Sequence, residues 1–170
     1  WKKYCRVFNT YGPTEACVNA LTYELGDIIP EIIPIGKPIY NMQAYIMKDL
    51  NECEVGETGE LCLSGIGLAV GYLNNPDLTN EKFIDNPFGE GKLYRTGDLA
   101  KKLEDGNVVC VGRIDNQLKI RAFRVDTGEI ESVMNSYGQA AIGVEENQLG
   151  DKILIGYIVS DMKQDELVKN

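Results

Sequence analysis

Histidine is absent from all 170 residues. Its absence excludes Ser-His and Cys-His nucleophilic catalysis within the chain and argues against a zinc hydrolase. Any chemistry must rest on electrostatics, metal-bound phosphate and positioning. Positive charge is also scarce: 17 Lys and Arg stand against 26 Asp and Glu, a net charge of −9. A non-specific nucleic-acid binder would present a basic face, so the charge argues against that class. It does not exclude a nucleotide site, because a metal ion and one or two local cations can hold phosphates. The five cysteines, at 5, 17, 53, 62 and 110, are odd in number and include no Cys-x-x-Cys. Neither a disulfide framework nor a zinc site fits that spacing, whereas five free thiols fit a reducing cytosol. No signal peptide and no apolar run of membrane length occurs. The expectation is a cytoplasmic protein with no membrane and no nucleic-acid partner.

The length suits one domain or two small ones, with a core burying roughly 70% of the unfolded surface. Trp1 to Phe8 has a strand's character without a start signal, and the sequence stops at Asn170, early in a helix pattern. Both ends read as cut from a longer enzyme.

The organising stretch is Tyr94-Arg95-Thr96-Gly97-Asp98, followed by Gly112-Arg113-Ile114-Asp115. Between them, Leu99 to Val111 reads as two apolar runs joined by Glu104-Asp105-Gly106-Asn107. Asp-Gly between such runs is a hairpin signal. A hairpin brings its ends together, so Asp98 and Arg113 should meet at a sheet edge. The carboxylate can accept both hydroxyls of a ribose, and the guanidinium can donate to the same sugar or to a phosphate. A surface ion pair closing the hairpin is the competing reading.

Upstream, Arg6 to Phe8 reads as a strand running into Asn9-Thr10-Tyr11-Gly12-Pro13-Thr14-Glu15. Gly12-Pro13 breaks it, and Thr14 or Glu15 can begin a helix across Ala16 to Ala20. Such a junction can hold a phosphate and its Mg²⁺, and equally suits a Gly-Pro turn with a helix cap. Ile28 to Pro38 reads as an extended connector. Met42 to Met47 and Leu61 to Ser64 read as strands. Glycines 65, 67 and 71 form G-x-G-x-x-x-G with no helix opening on them, so they point to close backbone packing rather than a dinucleotide loop. Thr79 is a candidate cap for a helix over Asn80 to Phe83. Lys92 to Thr96 is a strand delivering Asp98, and Val108 to Val111 returns. After Asp115 the pattern becomes a small α+β unit: a strand at Gln117 to Arg121, a helix over Thr127 to Asn135, and β-branched strands at 140–144 and 153–159.

Four motifs stand in one order: NTYGPTE at 9–15, GELCLSGIGLAVGYLNNPDLTNEKF at 59–83, YRTGDL at 94–99 and GRIDNQLKIRAFRVDTGEIE at 112–131. Together they closely resemble the adenylation domains of non-ribosomal peptide synthetases, within the adenylate-forming, AMP-binding superfamily. The resemblance implies ATP and Mg²⁺ as cofactors, an amino-acid substrate, an aminoacyl-adenylate product, and transfer to the phosphopantetheine thiol of a peptidyl carrier protein beside neighbouring synthetase domains. It implies a mixed α/β, multi-subdomain fold. Residues 1–26 would be the tail of a large α/β subdomain, 27–114 a distorted β-barrel, and 115–170 the hinge and the start of a small α+β lid. An acyl- or aryl-CoA-ligase-type member of the same superfamily and a non-catalytic interaction remnant are the alternatives.

Residue by residue, the resemblance places Asn9 and Gly12 in the nucleotide loop, Tyr11 against the adenine face and Thr14 at the α-phosphate. Glu15 would hold Mg²⁺. Asp98 would accept the ribose hydroxyls, and Arg113 would reach the ribose and the region of the α-phosphate. Thr10, Val18 and Asn19 match positions lining the amino-acid pocket. Asp115 matches the hinge, and Lys119 follows on the motif that swings to the site in the second catalytic state. Cys110 stands where the family usually carries an aromatic against the adenine, and losing a ring costs on the order of 1 kcal/mol of stacking. Val70 replaces a frequent arginine, Ala122 a glycine and Asp126-Thr127 a Glu-Leu, and the loop between Tyr137 and Gln139 is short. The family's phosphate loop, its aspartate for the substrate amino group and its C-terminal lysine lie outside these 170 residues. The expectation is that this piece by itself does not catalyse adenylation.

Overall fold

The computed structural model describes residues 3–114, 118–120, 123–125, 127–146 and 152–159. The chain divides into two compact units, Trp1–Ile114 and Asp115–Asn170. The first opens with a three-stranded antiparallel sheet of β1 (Phe8–Tyr11), β2 (Leu21–Glu24) and β3 (Lys37–Pro38). The first strand thus begins where the sequence expectation ended. A 3₁₀ turn, Thr14–Ala16, lies between β1 and β2, in place of the helix expected across Ala16 to Ala20. The turn ends on Cys17 and Val18 at φ 53° and 69°, and the chain re-enters the sheet at Leu21. Burial explains the difference. Ala16, Ala20 and Leu21 are 1%, 0% and 0% exposed, and seating them in the core outweighs a weak local helix preference.

The larger sheet comprises β4 (Met42–Lys48), β5 (Asn51–Glu52), β6 (Thr58–Gly65), β7 (Phe83–Asp85), β8 (Lys92–Lys102) and β9 (Val108–Arg113). Its order is β5-β4-β6-β8-β7, with β9 also paired to β8, and every pairing is antiparallel. It curls into a half-barrel, making this unit mostly β. β8 is the hub: β6 runs along it, β7 pairs with its first residues, and β9 pairs with its last. The two sheets join where Gly36 bridges Val108. Gly36 has φ +94°, and a Cβ there would lie 1.9 Å from the Thr22 carbonyl oxygen. Only glycine permits that approach.

β6 is buried on both faces. Leu61 and Leu63 pack with Ile35, Met42, Ile46 and Val108, while Cys62 packs with Met47 and Leu93 on the other side. Each fully buried leucine contributes roughly 1.5–3 kcal/mol of apolar burial. The glycines after β6 behave as the packing reading requires. A Cβ at Gly65 would meet the Asn41 carbonyl oxygen at 2.2 Å, and one at Gly71 would meet Thr79 Cγ2 at 2.4 Å. Helix α1 (Pro76–Lys82) begins earlier than expected. Its cap is Asn75, which accepts from the Leu78 amide at 3.2 Å, with proline in the first turn. Thr79 instead accepts from the Tyr72 amide at 2.9 Å, closing the preceding loop.

The second unit contains a hairpin of β10 (Leu118–Ile120) and β11 (Phe123–Val125), helix α2 (Thr127–Asn135), and a hairpin of β12 (Gln139–Glu146) and β13 (Lys152–Val159). The helix is stitched to β12 by Glu131, which accepts from the Ile142 amide at 2.8 Å. No helix of the described residues is long and apolar enough to cross a membrane.

Candidate functional site

Asp98 and Arg113 are register partners on β8 and β9. Arg113 Nη1 donates to Asp98 Oδ1 at 2.6 Å, and the two side chains are 19% and 13% exposed. This is a shielded, charge-assisted bond, not the solvated surface pair. The Tyr11 hydroxyl donates to Asp98 Oδ2. Both carboxylate oxygens therefore have a protein donor, and each keeps a further lone pair for another. Burial and the Asp98 charge push the Tyr11 phenol far above its ordinary range, so it stays a protonated donor. The sequence expectation set Tyr11 beside a nucleobase, and its tie to Asp98 went unseen there. Tyr11 and Cys110 both pack on the main core cluster.

Asp98 does not end its strand, as the sequence expectation had it. It lies inside β8, which runs on to Lys102. The reason is an irregularity. Glu60 pairs with Leu99 and Cys62 with Arg95, so Leu61 alone faces Thr96, Gly97 and Asp98. The bulge turns Asp98 off the regular pleat. Gly97 takes φ +73° there. The Thr96 hydroxyl donates to the Leu61 carbonyl at 2.7 Å and accepts from the Asp98 amide at 3.0 Å. Glu60 accepts from the Gly97 amide at 3.0 Å and from Arg95 Nη2 at 2.8 Å.

Glu15 is built differently. It sits in the 3₁₀ turn, 8% exposed. The loop after β6 grips it twice: the Ala69 amide donates to its backbone carbonyl at 2.8 Å, and the Tyr72 hydroxyl to Oε1 at 2.7 Å. Desolvation, Tyr94 and Glu15 all push the Tyr72 phenol far upward, so it too remains a donor. A carboxylate oxygen is one ligand of the kind a hard divalent cation such as Mg²⁺ takes; among the described residues Glu15 belongs to no group of three or more His, Cys, Asp or Glu side chains. Thr14 is exposed beside it.

Of the other expected residues, Gly12 lies under its own loop, where a Cβ would meet the Asn19 nitrogen at 2.6 Å. Asn9 donates from Nδ2 to the Pro34 carbonyl at 2.7 Å, pinning the connector. Thr10, Val18 and Asn19 are exposed, and Val18 is a β-branched residue at positive φ, an uncommon conformation. Lys119 is on β10. Asp115, Ala122 and Asp126 lie outside the described residues. Sequence reasoning missed Tyr72, Glu60 and Thr96. The signal was present, since all three lie inside quoted motifs, but nothing in their types announced a partner more than thirty residues away.

The family model described as AMP-binding enzyme matches residues 1–73. Tyrocidine synthase 1 of Brevibacillus parabrevis is 46% identical over 170 residues, covering 96% of this chain and 16% of that protein. Bacitracin synthase 1 of Bacillus licheniformis is 48% identical over 162 residues, covering 92% of this chain and 3% of that protein. Among solved structures, PA1221, an NRPS protein containing adenylation and PCP domains, superposes with TM-score 0.82 at 29% identity, over 98% of this chain and 36% of that one. The fused adenylation–PCP protein NpsA-ThdA from Klebsiella oxytoca gives TM-score 0.76 at 30% identity, over 97% of this chain and 33% of that one. The chain thus spans a small part of these synthases and about a third of either solved structure.

Proposed function

Because this chain belongs to the adenylation domains of the AMP-binding family of peptide synthetases, we propose that the protein carrying it activates an amino acid with ATP and passes it to a carrier-protein thiol. In the first step an amino-acid carboxylate oxygen bonds to the α-phosphorus as the bond to pyrophosphate breaks. In the second, a phosphopantetheine sulfur bonds to the acyl carbon and AMP leaves.

The observation that carries this reading is the Tyr11–Asp98–Arg113 constellation, a shielded carboxylate with lone pairs to spare beside a fixed guanidinium. Asp98 accepts the ribose hydroxyls, and Arg113 orients the carboxylate and offers positive charge toward sugar and phosphate. Tyr11 and Cys110 border the base. Glu15 would hold Mg²⁺, whose chemistry there would be to neutralise phosphate charge, with Thr14 and the Gly12 loop at the phosphates, and Asn9 fixing the loop's base. Thr10, Val18 and Asn19 contribute to the amino-acid pocket. No histidine is needed, since positioning and electrostatic stabilisation carry the reaction.

The domain reading is that 1–26 ends an α/β subdomain, 27–114 is barrel, and 115–170 is hinge and lid. Asp115 is the pivot, and Lys119 travels with the lid. The test is equilibrium binding of ATP with Mg²⁺ to the full-length protein. Asp98→Ala is expected to weaken binding by about tenfold or more, the scale of a hydrogen bond to a charged group. Unchanged affinity would refute the assignment.

A further inference from the structure

We infer that Glu60 is a positioning residue for Asp98, and thereby helps the site select the nucleotide's sugar. The inference rests on reading Asp98 as the ribose acceptor. Glu60 itself does not touch Asp98. The two extra residues that β8 carries opposite Leu61 leave amides that a regular ladder would pair with backbone carbonyls. Side chains take over that task. Glu60 Oε1 receives the Gly97 amide at 3.0 Å, and Thr96 Oγ1 receives the Asp98 amide at 3.0 Å. The second oxygen, Oε2, receives Arg95 Nε at 3.0 Å and Nη2 at 2.8 Å.

Three donors from residues 95 and 97 thus converge on one carboxylate whose side chain is 10% exposed. An ion pair alone would engage Arg95 and leave the backbone to itself. Here one oxygen is committed to the N–H of the Thr96–Gly97 peptide, while the Thr96 hydroxyl takes the N–H of the next peptide, Gly97–Asp98. Together the two bonds fix the peptide planes on either side of Gly97, and with them the direction in which the Asp98 side chain leaves the strand. On the far side, the Ile114 amide donates to the Gly97 carbonyl at 2.8 Å, so residue 97 is held at both its N–H and its C=O. Without the Glu60 acceptor, the Gly97 amide is shielded and unpaired, and the bulge relaxes toward another register. Asp98 then keeps its charge but loses its aim.

The test compares binding of ATP with that of 2′-deoxy-ATP and 3′-deoxy-ATP, each with Mg²⁺, to the full-length protein as wild type, Asp98→Asn, Glu60→Leu and Thr96→Val; leucine removes the acceptor that glutamine would keep. The wild type is expected to prefer ATP over at least one deoxy analogue by about tenfold or more, and Asp98→Asn to erase the preference. Glu60→Leu and Thr96→Val are expected to lower the preference at least threefold, while the KM for the amino acid holds. A purely structural role would weaken all three nucleotides together and leave their ratio intact. A wild-type ratio retained in Glu60→Leu, with loss in Asp98→Asn, overturns this inference alone. No preference in the wild type overturns the ribose reading and this inference with it. Should Glu60→Leu fail to give a cooperative thermal melt, Thr96→Val decides by the same ratio.

Discussion

Asp98 and Glu15 invite comparison. Each is a shielded carboxylate holding a tyrosine hydroxyl, Tyr11 for one and Tyr72 for the other. They are built by opposite means. Asp98 is aimed by paired strands, a bulge and a guanidinium, all within the larger sheet. Glu15 rides a single 3₁₀ turn bounded by left-handed residues and is gripped by a glycine-punctuated loop. The difference teaches that one acid takes its aim from strand register and the other from a loop clasp. On the function proposed above, the ribose would meet the first and the metal the second.

The largest expected effect would break the sheet side. Leu61 is 0% exposed beneath the bulge, and Leu61→Ala should cost about 2–5 kcal/mol by chemical denaturation. A loss under 1 kcal/mol would mean the bulge does not depend on the core below it. On the clasp side, Gly71→Ala places a Cβ against Thr79 at φ +149°. It should cost about 2 kcal/mol and raise the Mg²⁺ concentration needed for nucleotide binding. Smaller still are the two phenols. Tyr72→Phe and Tyr11→Phe should each weaken binding of ATP with Mg²⁺ by about 1 kcal/mol, the first by raising the Mg²⁺ concentration needed. Their effects should add in the double variant to within about 0.5 kcal/mol. Strong coupling would show one shared network instead of two constructions.

The last effect is confined to alkaline pH. Burial and the nearby Glu60 charge push the Cys62 thiol from its ordinary 9.0 up to about 12. The folded state therefore keeps a proton that the unfolded state releases. This contribution is whole below pH 9, declines as pH rises, and is lost by about 12. Cys62→Ala should flatten stability over that interval in denaturation at stepped pH.

Much of this was legible beforehand because it was local. Asp-Gly between two apolar runs predicted the hairpin that sets Asp98 opposite Arg113, and the β-branched pattern marked β12 and β13. What escaped depended on partners distant in sequence. The Ala16 to Ala20 segment follows a helix-start signal at Thr14 or Glu15, yet the core claims Ala16, Ala20 and Leu21 and the helix shrinks to one turn. Thr79 is a good cap, but Asn75 ahead of a proline is better placed, and the threonine is engaged by the Tyr72 amide. A bulge of two residues leaves no mark in an alternating pattern, so the continuation of β8 through Asp98 could not be read. The two tyrosines are ordinary core candidates until their acids are located.

Amino-acid-dependent exchange of pyrophosphate into ATP by the full-length protein tests the central claim most directly. The account predicts exchange that requires Mg²⁺ and falls by about a hundredfold or more when Asp98→Asn and Glu15→Gln are combined, the scale of losing two charge-assisted contacts. Undiminished exchange by that double variant would contradict it.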